Sequence, residues 1–291
     1  MFSVGKRALA VLDPFALATV RYGFGVLLLV LLLLAVEGAK SLRFDGRFAP
    51  AALYGLVGIA GFNLFVWVGL KFTLPEHASI ILALQTPLTA LGIWLVRGQR
   101  PGAFTLGCVV VAIFGVFLVV TKGDPLRALV DVAQGDALLG DVLVLLGGVS
   151  WVAYVLSAPH FTGWSPLRFS VLTCIPGFVG LAVANVFAIA AGWARVPTMA
   201  QFADTAWAMT YFAFCTVFLG ILAFNNAVRR MGALNTMLML NVTPVLVFGI
   251  EAGLGRSFAL IEILGAVVVV GALIANNLYL RGTSRGIKSR R

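Results

Sequence analysis

Charge is scarce in this chain. Of 291 residues only 11% are Asp, Glu, Lys or Arg, while 61% belong to the set AVILMFWYC. An ordinary soluble domain is about 25% charged. A soluble fold could not hide this much apolar side chain, because more than half of a soluble surface is already apolar. The scarcity excludes a water-soluble enzyme and a disordered protein. Cysteine is scarce too. Cys108, Cys174 and Cys215 all fall inside apolar runs. Such an odd set reads as small packing residues, not bridges or metal ligands, and excludes a disulfide scaffold. The sequence holds no His-x-x-x-His pair and no Gly-x-Ser-x-Gly, and no cluster of carboxylates is expected. It also lacks a Gly-x-x-x-x-Gly-Lys loop, which excludes an ATP drive built into the chain. No metal and no cofactor is expected.

Long apolar runs take the place of these features. A helix needs about 20 apolar residues to cross the hydrocarbon of a bilayer. Candidate spans are 14–36, 50–71, 76–96, 102–121, 138–158, 167–193, 206–228, 233–254 and 259–280. The runs are continuous rather than alternating, so they read as helices and not as barrel strands. The first is too long for the apolar core of a cleavable signal peptide. A more polar stretch, 122–137, contains Asp124-Pro125 and Asp131 and reads as a linker. The net charge of +10 does not point to nucleic acid, because the basic residues sit in short loops and in a tail over 282–291. A basic tail after a last span suits anionic lipid on the cytoplasmic side.

The two halves repeat. Thr86-Pro87 recurs as Thr243-Pro244, Asp13-Pro14 as Ser165-Pro166, and Leu106-Gly107 as Leu264-Gly265, at offsets of 157, 152 and 158 residues. The half over 138–281 holds five spans, whereas the half over 1–121 opens with a short piece before Asp13-Pro14. The expectation is ten spans in two sets of five, with about fifteen residues of the first span missing, from a misplaced start or a fragment. Loop charge orients them. With the short piece counted as the first span, one side and the tail hold thirteen Lys and Arg, and the other side holds five. The positive-inside rule puts the thirteen in the cytoplasm. Five is odd, so the halves face opposite ways, and Arg97 and Arg100 fall inside while their counterpart Arg256 falls outside. The fold class is thus an all-α polytopic membrane protein with two inverted-topology five-helix repeats, an architecture found mainly in secondary transporters. The expected location is the cytoplasmic membrane, with the C-terminus in the cytoplasm.

The chain resembles the drug/metabolite transporter superfamily and, within it, the EamA-type family. The carrying residues are Gly5-Lys6, Asp13-Pro14 through Arg21, the two Thr-Pro spans and the glycine-rich fifth and tenth spans, and the likeness runs from Phe2 to Leu280. Many relatives carry a Gly-Glu pair after the fourth and ninth spans, where this chain has Gly98-Gln99 and Gly255-Arg256. The resemblance implies export of amino acids or related metabolites.

Polar residues inside the spans are the candidate site. Pro87 and Pro244 each remove a helix hydrogen bond, and paired broken helices mark transporter binding sites, although a packing kink is the other reading. Gln85, Thr86 and Asn241 lie beside these breaks. Asn63 and Trp67 share a face of the third span. Ser150, Trp151 and Tyr154 lie on the sixth, and Asn225 ends the eighth. Aromatic rings with a polar atom suit an amphiphilic substrate, or else an interface belt. Arg21 could clamp a carboxylate with its fork or snorkel outward to Asp13. Lys6 has the same two readings. Glu251 could be a protonatable substrate contact or an interface carboxylate paired with Arg256. Glu262 reads as an interface residue, and His77 as a loop residue rather than a proton switch.

The function read from these features is a secondary transporter for small polar or amphipathic metabolites, most simply an amino-acid exporter working by alternating access around a central cavity. A passive channel, a non-transporting receptor and an intramembrane enzyme are the alternatives. The few carboxylates within spans favour facilitated diffusion over proton antiport. The expected partners are a small-molecule substrate and membrane lipid, with no nucleic acid, in a monomer or weak oligomer.

Overall fold

The computed structural model describes residues 2–98, 100–121, 137–240 and 242–288. Helices make up nearly all of it, and no strand occurs among the described residues. In chain order they are α1 (Phe2–Ala8), α2 (Pro14–Val36), α3 (Phe48–Phe72), α4 (Pro75–Val96) and α5 (Ala103–Thr121). Then come α6 (Ala137–Ser157), α7 (Pro166–Ala190), α8 (Met199–Met231), α9 (Ala233–Gly253) and α10 (Leu260–Lys288). The eight helices from α2 to α9 are long and apolar enough to cross a membrane, and α10 contains a shorter apolar stretch, Leu260–Asn276. The expected linker lies outside the described residues apart from Ala137, the first residue of α6.

The same local devices build both halves. Asp13 caps α2 by accepting from the Phe15 amide, and Ser165 caps α7 by accepting from the Arg168 amide. A proline follows each cap at the first helical position, where its missing N–H costs nothing. Gly98 after α4 and Gly255 after α9 both take positive φ, 68° and 89°, the left-handed conformation that glycine adopts freely. Both Thr-Pro helices are interrupted. In α4 the helical hydrogen bonding lapses at Leu84, and in α9 near Leu240. A further pair was not foreseen. Within α3 the segment Gly55–Gly61 is π-helical, and within α8 the segment Phe212–Gly220 is too. Such widened turns are rare and concentrate at functional sites.

Helix packing follows the repeat. Across the halves, α2 packs on α7, α4 on α9, and α5 on α10. The α3–α6 contact has its counterpart in α8–α1, and the α3–α7 contact in α8–α2. Close approach needs small residues, since packing rather than water drives helices together in lipid. A Cβ on Gly69 of α3 would stand 2.6 Å from the Gly140 carbonyl oxygen of α6, and one on Gly140 would stand 2.8 Å from that of Gly69. Lys6 of α1 donates its Nζ to the carbonyls of Leu70, Lys71 and Thr73 at 2.7–3.0 Å. That caps the C-terminal end of α3 and replaces the snorkelling or substrate role considered for it. Trp67, Tyr154 and Phe212 are among the largest fully buried side chains. Phe24, Phe114, Val186 and Leu246 face outward and exposed, as a lipid-facing surface requires.

Candidate functional site

Between the halves, level with the two helix breaks, lies a cavity of about 300 Å³. Arg21 and Tyr22 of α2, Ser79 and Gln85 of α4, Trp151 of α6 and Thr216 of α8 contribute to its wall, together with Thr243 of α9. A second cavity, about 410 Å³, opens at the end where α7 and α9 begin and α8 ends. Asn225, Arg229 and Asn235 line it. After the loop-charge expectation, that end is called the inner end and the opposite one the outer end.

Arg21 is the only charged residue in the central cavity wall among the described residues. It is 2% exposed. Its Nη2 donates to Asn63 Oδ1, and that oxygen also accepts from Trp67 Nε1 at 3.3 Å. Asn63 in turn donates its Nδ2 to the Ile59 carbonyl at 2.6 Å, inside the π-helical segment of α3. The guanidinium carbon lies 4.4 Å from the Trp67 ring centroid, 5.2 Å from Tyr22 and 5.7 Å from Phe212. Arg21 Nε is buried without a hydrogen-bond partner, and no carboxylate pairs with Arg21 among the described residues. The outward pairing with Asp13 is not formed, because Asp13 caps its own helix. Arg21 is thus a buried cation with rings on several faces and no carboxylate partner among the described residues.

Trp151 contributes to the wall of this cavity. Its ring lies 5.1 Å from each of Phe62, Tyr154 and Phe224, an aromatic layer of which Phe62 and Phe224 also line the cavity. Tyr154 is fully buried behind that layer. Its hydroxyl accepts from Asn225 Nδ2 at 2.8 Å and lies 3.2 Å from Thr173 Oγ1. Asn225 also donates to Ser170 Oγ at 2.8 Å. Tyr154 therefore supports the wall, while Asn225 lines the second cavity.

The sequence candidates thus separate. Arg21, Gln85 and Trp151 share the central cavity. Asn63 and Trp67 stand behind Arg21 and hold it. Thr86 donates to the Met237 carbonyl at 3.1 Å and ties α4 to α9 across the halves. Ser150 donates back to the Leu146 carbonyl of its own helix at 2.9 Å. Pro87 faces a lateral apolar groove and not the cavity, and Pro244 is buried in α9. Asn241 lies outside the described residues. Glu251 lines no part of the central cavity, and Arg256 pairs instead with Glu76 and Glu262. Ser79 and Thr216 were missed. Each is a lone hydroxyl in an apolar run, and Thr216 lies within the π-helical segment of α8.

Comparison with known proteins agrees with this architecture. The sequence model of the EamA-like transporter family matches residues 1–121 and again 138–278, one copy per half. The chain is 28% identical over 284 residues to "Uncharacterized transporter YrdR" of Bacillus subtilis (strain 168), covering 97% of this chain and 88% of that protein. It is 28% identical over 281 residues to "Uncharacterized transporter YyaM" of the same organism, covering 95% and 89%. A solved crystal structure superposes with a TM-score of 0.68 at 16% identity, over 96% of this chain and 95% of its own. At that identity the likeness concerns the fold alone. Two tandem family matches on a chain of apolar helices identify a multi-pass membrane protein, a transporter that belongs to the EamA-like transporter family.

Proposed function

We propose that the protein is a secondary transporter for small carboxylate-bearing, amphipathic metabolites, with amino-acid export across the cytoplasmic membrane as its working direction. The observation that carries this is Arg21. A buried guanidinium without a protein carboxylate is costly to keep, and a substrate carboxylate would satisfy its free donor. Gln85, Ser79 and Thr216 would hydrogen-bond the polar end of the substrate, and Trp151, Phe62 and Phe224 would pack its apolar part. An ammonium group would rest against these ring faces, since the described wall offers it no carboxylate.

Alternating access between two inverted repeats is the transport mode we infer. The reciprocal helix contacts support it, as does the match of the family model to each half. A passive pore fits less well, because the wall around Trp151 is aromatic rather than a lining of polar groups. The inner-membrane location, the cytoplasmic C-terminus and a monomeric or weakly associating state belong to the same reading.

Labelling tests the cavity. In a background with Cys108, Cys174 and Cys215 replaced by Ala, Gln85→Cys should react with a water-soluble thiol reagent applied from the cytoplasmic side. Transported amino acids should protect it. A thiol at 85 that is inert from both sides, with or without substrate, would refute the central-cavity assignment.

A further inference from the structure

Glu76, His77, Asp141, Arg256 and Glu262 are spread over 187 positions of the sequence, yet they meet at the outer end of the bundle. Glu76 and His77 lie in the first turn of α4, Asp141 near the start of α6, Arg256 in the loop between α9 and α10, and Glu262 in the first turn of α10. His77 Nδ1 is 3.6 Å from Asp141 Oδ2, and its Nε2 is 3.9 Å from Glu262 Oε1. Arg256 pairs with Glu76 and stands 3.8 Å from Glu262. Thr73, in the turn before α4, donates its hydroxyl to Asp141. Glu76, His77, Asp141 and Glu262 are each at most 5% exposed. The sequence reading made His77 a loop residue and Glu262 an interface residue; both are buried parts of one network.

That network is incomplete. Glu76 Oε2 and His77 Nε2 are buried without a hydrogen bond, Glu76 Oε1 has only the Arg256 ion pair, and Glu262 Oε1 has only ion-pair neighbours at 3.8 and 3.9 Å. Three carboxylates against one guanidinium leave two negative charges while the imidazole is neutral. The remaining charged groups around the cluster are Lys6 of α1, committed to three carbonyls, Glu251 of α9, and the exposed Lys71 at the end of α3. Buried net charge is expensive unless neutralised. Imidazole is the side chain whose charge changes between about pH 5 and 8. A proton on His77 would put a cation between Asp141 and Glu262 and remove one of the two excess negative charges.

We propose that this cluster is a proton-binding site of the transport cycle, in which His77 takes up a proton when the outer end closes and returns it when the outer end opens. The inference rests on the alternating-access reading. Glu76 and His77 belong to one half, and Asp141, Arg256 and Glu262 to the other. Opening the outer end separates them, hydrates the carboxylates and removes the reason for His77 to keep its proton. Ser79, one helical turn beyond Glu76 on α4, lines the central cavity, so closure of the cluster seals the cavity from the outside. A ligand that binds one of two states more tightly shifts the population toward that state. The proton is that ligand here, and acid outside holds the outer end shut.

Accessibility of Ser79→Cys from the outside reads this directly and needs no substrate. The background is the one free of native cysteine, and rates are divided by that of Arg195→Cys, an exposed outer-loop position, to remove the pH dependence of thiol chemistry. Labelling by a membrane-impermeant reagent should be slow at pH 5.5 and rise several-fold by pH 8. In His77→Gln, which cannot take up a proton, the pH dependence should vanish. Labelling independent of pH in the parent, or the same dependence in His77→Gln, overturns the proposal. So does a thiol at 79 that never reacts from the outside. If that thiol still reacts from the inside, the central cavity stands and only the proton site falls. The chain with its own cysteines gives a second readout. Its melting temperature in detergent should rise as pH falls from 8 to 5.5, and His77→Gln should abolish the rise; a parent without the rise, or a variant that keeps it, counts against the site.

Discussion

Replacing Arg21 with Met should separate stability from recognition. Methionine keeps an unbranched apolar stem and removes the guanidinium. Without substrate, that guanidinium has one side-chain partner, Asn63, three ring neighbours and a bare Nε. Exchanging a poorly compensated buried charge for an apolar group is often neutral or stabilising, by about 1–4 kcal/mol. Asn63 Oδ1 would keep the Trp67 Nε1 donor at 3.3 Å. The melting temperature of the free protein in detergent should therefore hold or rise. Substrate binding should move the other way. Truncating one partner of a buried, hydrogen-bonded charge pair costs about 2–5 kcal/mol. At about 1.4 kcal/mol per tenfold, Kd should weaken roughly 30-fold to several-thousand-fold. Arg21→Lys keeps the charge without the planar fork and should fall between the two. Ligand-induced thermal shift with a transported amino acid measures both effects in one titration. An Arg21→Met protein that melts far below the parent would make Arg21 a structural ion. One that binds substrate as the parent does would remove Arg21 from the site.

Three other outcomes follow from the packing. Tyr154→Phe removes the hydroxyl that accepts from Asn225 and should cost about 1–3 kcal/mol of stability in detergent, with substrate affinity unchanged, because Tyr154 stands behind the cavity wall; thermal melting and a binding titration check both. Gly69→Ala would push a methyl within 2.6 Å of the Gly140 carbonyl and should destabilise by about 1–3 kcal/mol, read as a lower melting temperature. An alkaline phosphatase fused after Arg291 should be inactive and a cytoplasmic fluorescent reporter bright, from the excess of Lys and Arg on that side.

The sequence disclosed much of the fold because lipid makes helices long and apolar. Asp13-Pro14, Ser165-Pro166 and the Thr-Pro pairs are local signals, and the structure uses them as caps and breaks. Boundaries were less legible. The eighth helix runs Met199–Met231, well beyond the 206–228 expected, because polar Gln201, Asp204 and Thr205 lower the apolar signal at its start. The site was only partly readable. A helix that is apolar all round has no amphipathic phase to show which way a residue points. Glu251 accordingly looked like a site residue, while Ser79 and Thr216 did not. The π-helical turns left no motif beyond scattered glycines. The outer cluster was invisible for another reason. Its members come from four segments, and the pairing of Arg256 with Glu76 rather than Glu251 depends on how α4 packs against α9.

Counterflow in proteoliposomes tests the central claim most directly. Vesicles preloaded with an unlabelled amino acid should accumulate that labelled amino acid, and should not accumulate the amine that lacks its carboxylate. Arg21→Met should abolish the accumulation while the protein remains folded. Equal counterflow of the amino acid and its amine, or full counterflow by Arg21→Met, would contradict a substrate site built on Arg21.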